Sequence, residues 1–253
     1  MDYAQARLQA RFGERPDESA WRKLDAAREP AAALEIARSS GLAQWVAGID
    51  ADANRHAMEI ALRTCWRECI SEISSWMPRS WQPAMRWTLW LVDLPALCYL
   101  ARGEPPLPWM LRDPVLQVYA RAAPQARETM LRKDCCVFLG AMWKVSVGPV
   151  TPTSPPLSHI RGAWLDEWRR RWPQPGDAEL LDDLARLLDA ATRQPASPMA
   201  RSDLLRELRH LFRRSVLRPA AAFTYLAIAA LDVERLRARL LIDALVREGI
   251  VAS

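Results

Sequence analysis

Apolar residues recur every three to four positions along most of this chain, which is the spacing of one face of an α-helix. The segment Arg55–Met77 is the clearest case in the first half of the sequence. Nine glycines are few, and alanine, leucine and arginine dominate, a composition that favours helix over tight β-turns. The sequence therefore predicts an all-α, multi-helical protein of about ten helices. The apolar stripe of this segment consists of Met58, Ala61, Leu62, Cys65, Trp66, Cys69, Ile73 and Trp76.

Shorter helices are predicted where a capping residue, a glycine or a proline bounds a periodic segment. Pro95 lies inside one of them and is expected to kink or split it. The predicted segments are Asp2–Phe12, a helix capped by Asp17 or Ser19, Leu34–Val46, Ala84–Ala101, and two helices within Asp113–Val147 that are split near Pro124.

The longest uninterrupted segment is Arg218–Gly249, and the chain is predicted to be organised around it. Pro219 suits the first helical turn, and a glycine ends the run as a C-terminal cap. Arg237 falls within the apolar face of this helix, whereas Asp232 falls on its flank. Because an unpaired guanidinium is costly among apolar side chains, Arg237 is predicted to be buried and paired with a carboxylate. The candidate partners are Glu59, Asp93 and Glu234. The predicted apolar face comprises Phe223, Leu226, Ala230, Val233, Leu240, Leu241 and Ala244.

Three short segments, spread over most of the chain, carry a family resemblance. They are the N-terminal segment with Tyr3 and Arg7, the segment from Asp93 to Arg102-Gly103, and the C-terminal segment with Tyr225, Asp232 and Arg237. In this order they resemble the C-type central-stalk subunits (d-type in eukaryotes) of V-type and archaeal-type rotary ATPases. The chain departs from the family pattern at Ala230, where members carry a second acidic residue, and its middle third is shorter.

A weak internal repeat relates residues 55–103 to residues 201–249, since each stretch holds an amphipathic helix, a proline and a second helix with a central aspartate. The family that the chain resembles is built from similar units, so the resemblance implies a funnel or partial ring of pseudo-repeated helical units. The proline- and serine-rich stretch 148–158 is predicted to be a linker. It separates N-terminal helical units (1–147) from a C-terminal unit (159–253), which together are expected to form one body.

Charge and hydropathy narrow the class of protein. The formal net charge is +5, carried almost entirely by arginine, which either a GC-rich genome or an acidic partner would explain. The longest apolar runs fall short of the ~20 residues that a membrane span needs, and the first residues do not form a secretion signal. Five cysteines, an odd number, fit reduced thiols better than a disulfide framework. These features predict a cytoplasmic protein.

No motif for catalysis or cofactor binding is present: the sequence has no phosphate-binding glycine-rich loop, no nucleophile elbow and no His-Glu-x-x-His pair. Cys65 and Cys69 lie four residues apart and could ligate a metal with His56, but both fall on the apolar stripe, which favours buried structural thiols. Cys135 and Cys136 are adjacent and would point in different directions. The sequence predicts no catalytic, cofactor or metal site.

The segment 161–172 (RGAWLDEWRRRW) is the candidate interaction site, because tryptophan recurs every fourth residue among arginines. Tryptophan and arginine are common anchors of protein interfaces, and they also bind nucleic acid by stacking and by phosphate contacts. The same spacing also suits a helix that packs its tryptophans into the core while the arginines are solvated. The candidate interface residues are Arg161, Trp164, Trp168, Arg169, Arg170 and Arg171.

The resemblance implies a non-enzymatic coupling part of a rotary ATPase, one that joins the membrane rotor ring to the central shaft during ion transport. Such a protein would be cytoplasmic, peripheral to the membrane through its complex, and would need no cofactor. The alternative is a helical binding module for nucleic acid or another protein assembly that uses the helix at 161–172. Nucleic acid is the less favoured partner.

Overall fold

The computed structural model describes residues 1–134, 157–173, 178–193 and 198–247, which form helices joined by turns and loops, without a β-strand in these ranges. The prediction of an all-α protein is confirmed. In none of these ranges does a helix combine the length and apolar character needed to cross a membrane. The helices are α1 (Asp2–Gly13), α2 (Glu18–Ala26), α3 (Pro30–Arg38), α4 (Ala43–Val46), α5 (Arg55–Trp76), a 3₁₀ turn (Arg79–Trp81), α6 (Gln82–Trp87), α7 (Trp90–Ala101), α8 (Gln117–Ala120), α9 (Pro124–Asp134), α10 (Leu157–Arg170), α11 (Ala178–Arg193), α12 (Pro198–Arg214) and α13 (Ala220–Arg247).

The chain divides into two compact units: a terminal unit, Met1–Met85 with Gln174–Ser253, and a central unit, Arg86–Pro173. The sequence predicts a different division, with a linker at 148–158 between residues 1–147 and residues 159–253. Most of that predicted linker, together with Cys135, Cys136 and Gly249, lies outside the described residues. Its last two residues, Leu157 and Ser158, begin α10.

Helix α13 is the central element of the terminal unit and packs against α1, α3, α5, α11 and α12. Its first half is enclosed by these neighbours, since nearly every residue from Ala220 to Ala229 is buried. A helix that is apolar all round is typical of such a position. The core of the terminal unit therefore forms around a helix that comes late in the sequence and contacts the first one.

The inner face of the second half of α13 differs from the predicted one. Asp232, Leu236 and Leu240 are buried, whereas Arg237 is exposed. The prediction that Arg237 lies buried is therefore wrong, although Glu59, one of its candidate partners, does pair with it. The reason is that the first half of the helix is apolar on every side, so its periodicity does not define a unique face for the second half.

Two helices predicted as continuous are interrupted. Residues 34–46 divide between α3 and α4, and the turn between them contains Gly41. A Cβ atom on Gly41 would lie 1.8 Å from the carbonyl oxygen of Glu14, so the turn needs glycine for close backbone contact. Residues 84–101 divide between α6 and α7 ahead of Pro95, which remains inside α7.

In the central unit a buried arginine satisfies the carbonyl groups of the chain around α8. The Arg127 guanidinium donates hydrogen bonds to the carbonyl oxygens of Tyr119 (2.9 Å), Ala122 (3.1 Å) and Ala120 (3.3 Å). These carbonyls lie at or just after the end of a four-residue helix, where the last carbonyls have no full set of intrahelical partners. Arg127 on α9 thereby joins the two helices.

We expect Gly41→Ala to destabilise the protein by about 3 kcal/mol, because the added methyl group would overlap the backbone of residues 14–16. Gly48→Ala is the matched control, since a Cβ atom there meets no other atom within 4 Å. Urea unfolding of both variants measures the difference. A similar free energy of unfolding for the two would contradict the close contact at Gly41.

Candidate functional site

The residues that carry the family resemblance do not line one pocket. Tyr225 and Asp232 are buried in the terminal unit, and Arg7 and Tyr3 lie exposed on its α1 helix. Asp93, also buried, belongs to the central unit. The structure brings the N-terminal and C-terminal segments together in one unit, where ion pairs connect the helix of each segment to α5.

A buried ion pair lies where the segment after α1 meets α13. Arg15 Nε donates a hydrogen bond to Asp232 Oδ2 at 2.7 Å, and Arg15 Nη2 donates to Asp232 Oδ1 at 2.9 Å. The two side chains are only 9% and 8% exposed. This two-bond geometry holds the planar guanidinium and the carboxylate in a fixed orientation. Residues 217 positions apart in the sequence are thus held together.

A second cluster joins α5 to α13. Glu59 accepts hydrogen bonds from Arg63 Nε at 2.8 Å and from Arg237 Nε at 2.7 Å. Burial raises the pKa of the Glu59 carboxyl, but the hydrogen bonds and charges of Arg237 and Arg63 outweigh it, so the pKa is lowered. The Arg237 side chain remains 49% exposed, so this pair is more solvated than Arg15–Asp232.

A third cluster joins α1 to α5. The Glu72 carboxylate pairs with Arg11 and, at 3.5 Å, with Arg7. Both guanidinium groups lie over the Trp76 ring, with the Arg7 group 5.1 Å and the Arg11 group 4.9 Å from its centroid. Such cation–π contacts add to the attraction between the two helices. Charged contacts therefore join α5 both to α1 and to α13, and the Arg15–Asp232 pair joins the segment after α1 to α13.

The thiols and the phenol near these clusters are held protonated. Burial raises the pKa of Cys69 to about 11 and the pKa of Tyr225 to about 12. Cys98 in the central unit likewise has its pKa raised to about 11 by burial. A nucleophile or metal ligand needs the thiolate form, which burial disfavours for both cysteines at neutral pH. Among the described residues, no group of three His, Cys, Asp or Glu could hold a metal ion.

The tryptophans of α10 pack in the core of the central unit. Trp164 is 8% exposed and Trp168 3% exposed, and their rings stack with centroids 5.6 Å apart. Trp164 Nε1 donates to the Trp87 carbonyl oxygen at 3.3 Å, and Trp87 Nε1 donates to the Trp164 carbonyl oxygen at 3.1 Å. These contacts agree with the packing alternative and leave Trp164 and Trp168 little exposed surface with which to anchor a partner.

The arginines at the end of this helix, and Arg171 directly after it, pair with acids one helical turn away. Arg169 lies 3.7 Å from Asp166, and both Arg170 and Arg171 pair with Glu167. Of these arginines, Arg169 and Arg170 are exposed and Arg171 is half-buried; the side chain of Arg161 lies outside the described residues. What faces solvent is thus a partly neutralised arginine surface.

A groove of about 320 Å³ lies between α11 and α12 in the terminal unit. Its charged residues pair with one another, as Arg214 does with Asp183 at 3.6 Å. The lining residues carry both signs of charge, which does not favour an anionic or a cationic ligand. They are Asp183, Arg186, Leu187, Ala190, Glu207, His210, Leu211 and Arg214.

Sequence reasoning missed Arg15, the partner of Asp232. Arg15 lies in the non-helical segment after α1 and takes part in no periodic pattern. Its contact spans almost the whole described chain, so no local spacing signals it. The isolated arginine before Pro16 is the only hint in the sequence.

No protein-family model, curated protein or solved structure matches this chain.

We expect Asp232→Asn to lower the free energy of unfolding by about 3 kcal/mol or more, because Arg15 would keep a buried charge without its counter-ion. Glu35→Gln is the control, since the Glu35–Arg38 pair is exposed and should contribute less than about 1 kcal/mol. Thermal and urea unfolding of both variants give the comparison. If both variants lost equally little free energy of unfolding, the importance of the buried Arg15–Asp232 pair would be contradicted.

The stabilising contribution of Glu59 should depend on pH. Its folded-state pKa lies below the ordinary carboxyl value of 4.5, so the contribution is complete above 4.5 and is lost as the pH falls through the folded-state pKa. We expect Glu59→Gln to be about 2 kcal/mol less stable than the wild type at neutral pH, and this difference to shrink in acid. Urea unfolding of the two proteins from neutral to acidic pH measures it. A difference that grows on acidification would contradict the lowered pKa.

Proposed function

We propose that this chain is a non-enzymatic coupling subunit of a V-type or archaeal-type rotary ATPase, linking the membrane rotor ring to the central shaft for ion transport. One observation carries the proposal. The two segments with the resemblance at the ends of the sequence meet in the terminal unit, where Asp232 and Arg237 of one and Arg7 of the other take part in ion pairs. These residues build a scaffold, as expected of signature residues in a protein that transmits force.

Torque transmission requires a body whose helices do not slide past one another. The contacts Arg15–Asp232, Arg237–Glu59 and Arg7–Glu72 join segments that are distant in the sequence, so sliding of the helices would break charge pairs. Breaking the buried Arg15–Asp232 pair would leave an uncompensated charge in the core. This arrangement supports a stiff part, and stiffness is the property that a coupling subunit needs.

The rest of the proposal follows from the resemblance. The partners are a rotor-ring subunit and central-shaft subunits, and the protein is cytoplasmic and bound to the membrane through this complex. Its helical units are arranged as a funnel or partial ring. The net charge of +5 favours acidic partner surfaces, with association that weakens as salt screens the charges.

The alternative, a binding module that uses the Arg/Trp helix, receives less support. Trp164 and Trp168 are buried, so they cannot stack on bases or fill a partner's pocket without unfolding part of the central unit. Arg169 and Arg170 are exposed but pair with acids of their own helix.

The test is affinity purification of a tagged copy from the native organism after mild solubilisation of its membranes, followed by mass spectrometry. We expect rotor-ring and central-shaft subunits to be retained, and to remain when nuclease is added. The double variant Arg169→Gln, Arg170→Gln should retain these subunits as well as the wild type does, because its substitutions leave the buried tryptophans unchanged. The alternative would replace the proposal if the wild type retained only nucleic acid or ribosomal proteins and the double variant lost them.

A further inference from the structure

The turn between α12 and α13 has an unusual backbone. Leu217 has a φ of 60°, and no other non-glycine residue in the described ranges has a positive φ. The turn is held from both sides: Gln5 Oε1 accepts a hydrogen bond from Leu217 N at 3.0 Å, and the Ser215 carbonyl oxygen accepts one from Arg218 N at 2.9 Å. Gln5 and Ser215 are themselves buried. The left-handed conformation is thus fixed by the surrounding structure.

Leucine is a poor choice for this conformation, since glycine and asparagine adopt it with less strain. Packing explains the leucine only in part, because about half of it lies at the surface: Leu217 is 49% exposed and the preceding Val216 is 47% exposed. Two adjacent aliphatic side chains therefore protrude from a turn where a small polar residue would be more stable. Strain that the fold maintains at an exposed position indicates a function of the side chain.

Positive charge surrounds this apolar tip. Arg213, Arg214 and Arg218 are exposed next to Val216 and Leu217, and the sequence from 209 to 219 contains no acidic residue. The carboxylate of Asp183, on α11, lies 3.6 Å from Arg214 and neutralises part of this charge. The surface thus combines aliphatic side chains with a net positive rim.

We propose that this turn contacts a membrane surface containing anionic phospholipids, with Val216 and Leu217 entering the interface and the arginines binding lipid phosphates. A fluid bilayer accepts aliphatic side chains without a complementary pocket, and anionic lipids attract basic segments. Arginine also matches phosphate geometry through two parallel hydrogen bonds. Nucleic acid offers the phosphates but no apolar phase for the two aliphatic side chains. The inference is independent of the proposed rotary-ATPase function.

The test is flotation of the purified chain with vesicles of phosphatidylcholine alone or mixed with phosphatidylglycerol at roughly two to one. We expect binding to the anionic vesicles only, weakened by high salt. Val216→Ser with Leu217→Asn should reduce the bound fraction roughly tenfold without loss of thermal stability, because asparagine tolerates the left-handed conformation. Arg213→Gln with Arg218→Gln should reduce it by a similar factor.

Two control variants separate the tip from general surface properties. Ile242→Asn removes another exposed aliphatic side chain, 56% exposed, and Arg22→Gln with Arg206→Gln removes two exposed charges elsewhere. Both should bind anionic vesicles like the wild type. If the wild type does not bind these vesicles, or if the tip variants bind as well as the controls, the proposal is overturned. Should the double tip variant fail to fold, Val216→Ser alone, outside the strained position, gives the same comparison.

Discussion

The buried ion pair between Arg15 and Asp232 holds the segment after the first described helix against the last described helix. Each charge would be intolerable in the core alone, and together they satisfy one another through two hydrogen bonds of 2.7 and 2.9 Å. The planar geometry allows little freedom in the position of α13 relative to the segment after α1. One contact between residues far apart in the sequence therefore fixes how these two segments pack against each other in the terminal unit.

Around this pair, charged contacts become progressively more solvated. The Glu59 cluster joins α5 to α13 with a carboxylate that is 10% exposed, and the Glu72 cluster joins α1 to α5 at a carboxylate 39% exposed. The buried contacts hold the helices in position, while the more exposed ones contribute less to stability because water screens their charges. A body of this kind resists sliding of its helices, and this is the physical basis for proposing a coupling role instead of a catalytic one.

Much of the fold could be predicted because it depends on local periodicity: α1, α5 and α13 all follow from apolar spacing. Glu59 is one of the three partners that the sequence offers for Arg237, but the exposure of Arg237 could not be predicted, because the all-apolar first half of α13 hides which face is inner. The role of Arg15 could not be predicted from the sequence, since its contact is set by tertiary packing alone. For Trp168, one spacing suited both core and interface, and only the structure distinguishes them.

The mutual stabilisation of Arg15 and Asp232 is tested most directly by a double-mutant cycle. Arg15→Met, Asp232→Leu and the double variant are compared with the wild type by urea unfolding. We expect each single variant to be strongly destabilised and the double variant to recover much of the loss, with a coupling free energy of about 2–3 kcal/mol. Losses that simply add, with a coupling free energy near zero, would contradict the dependence of the fold on this pair.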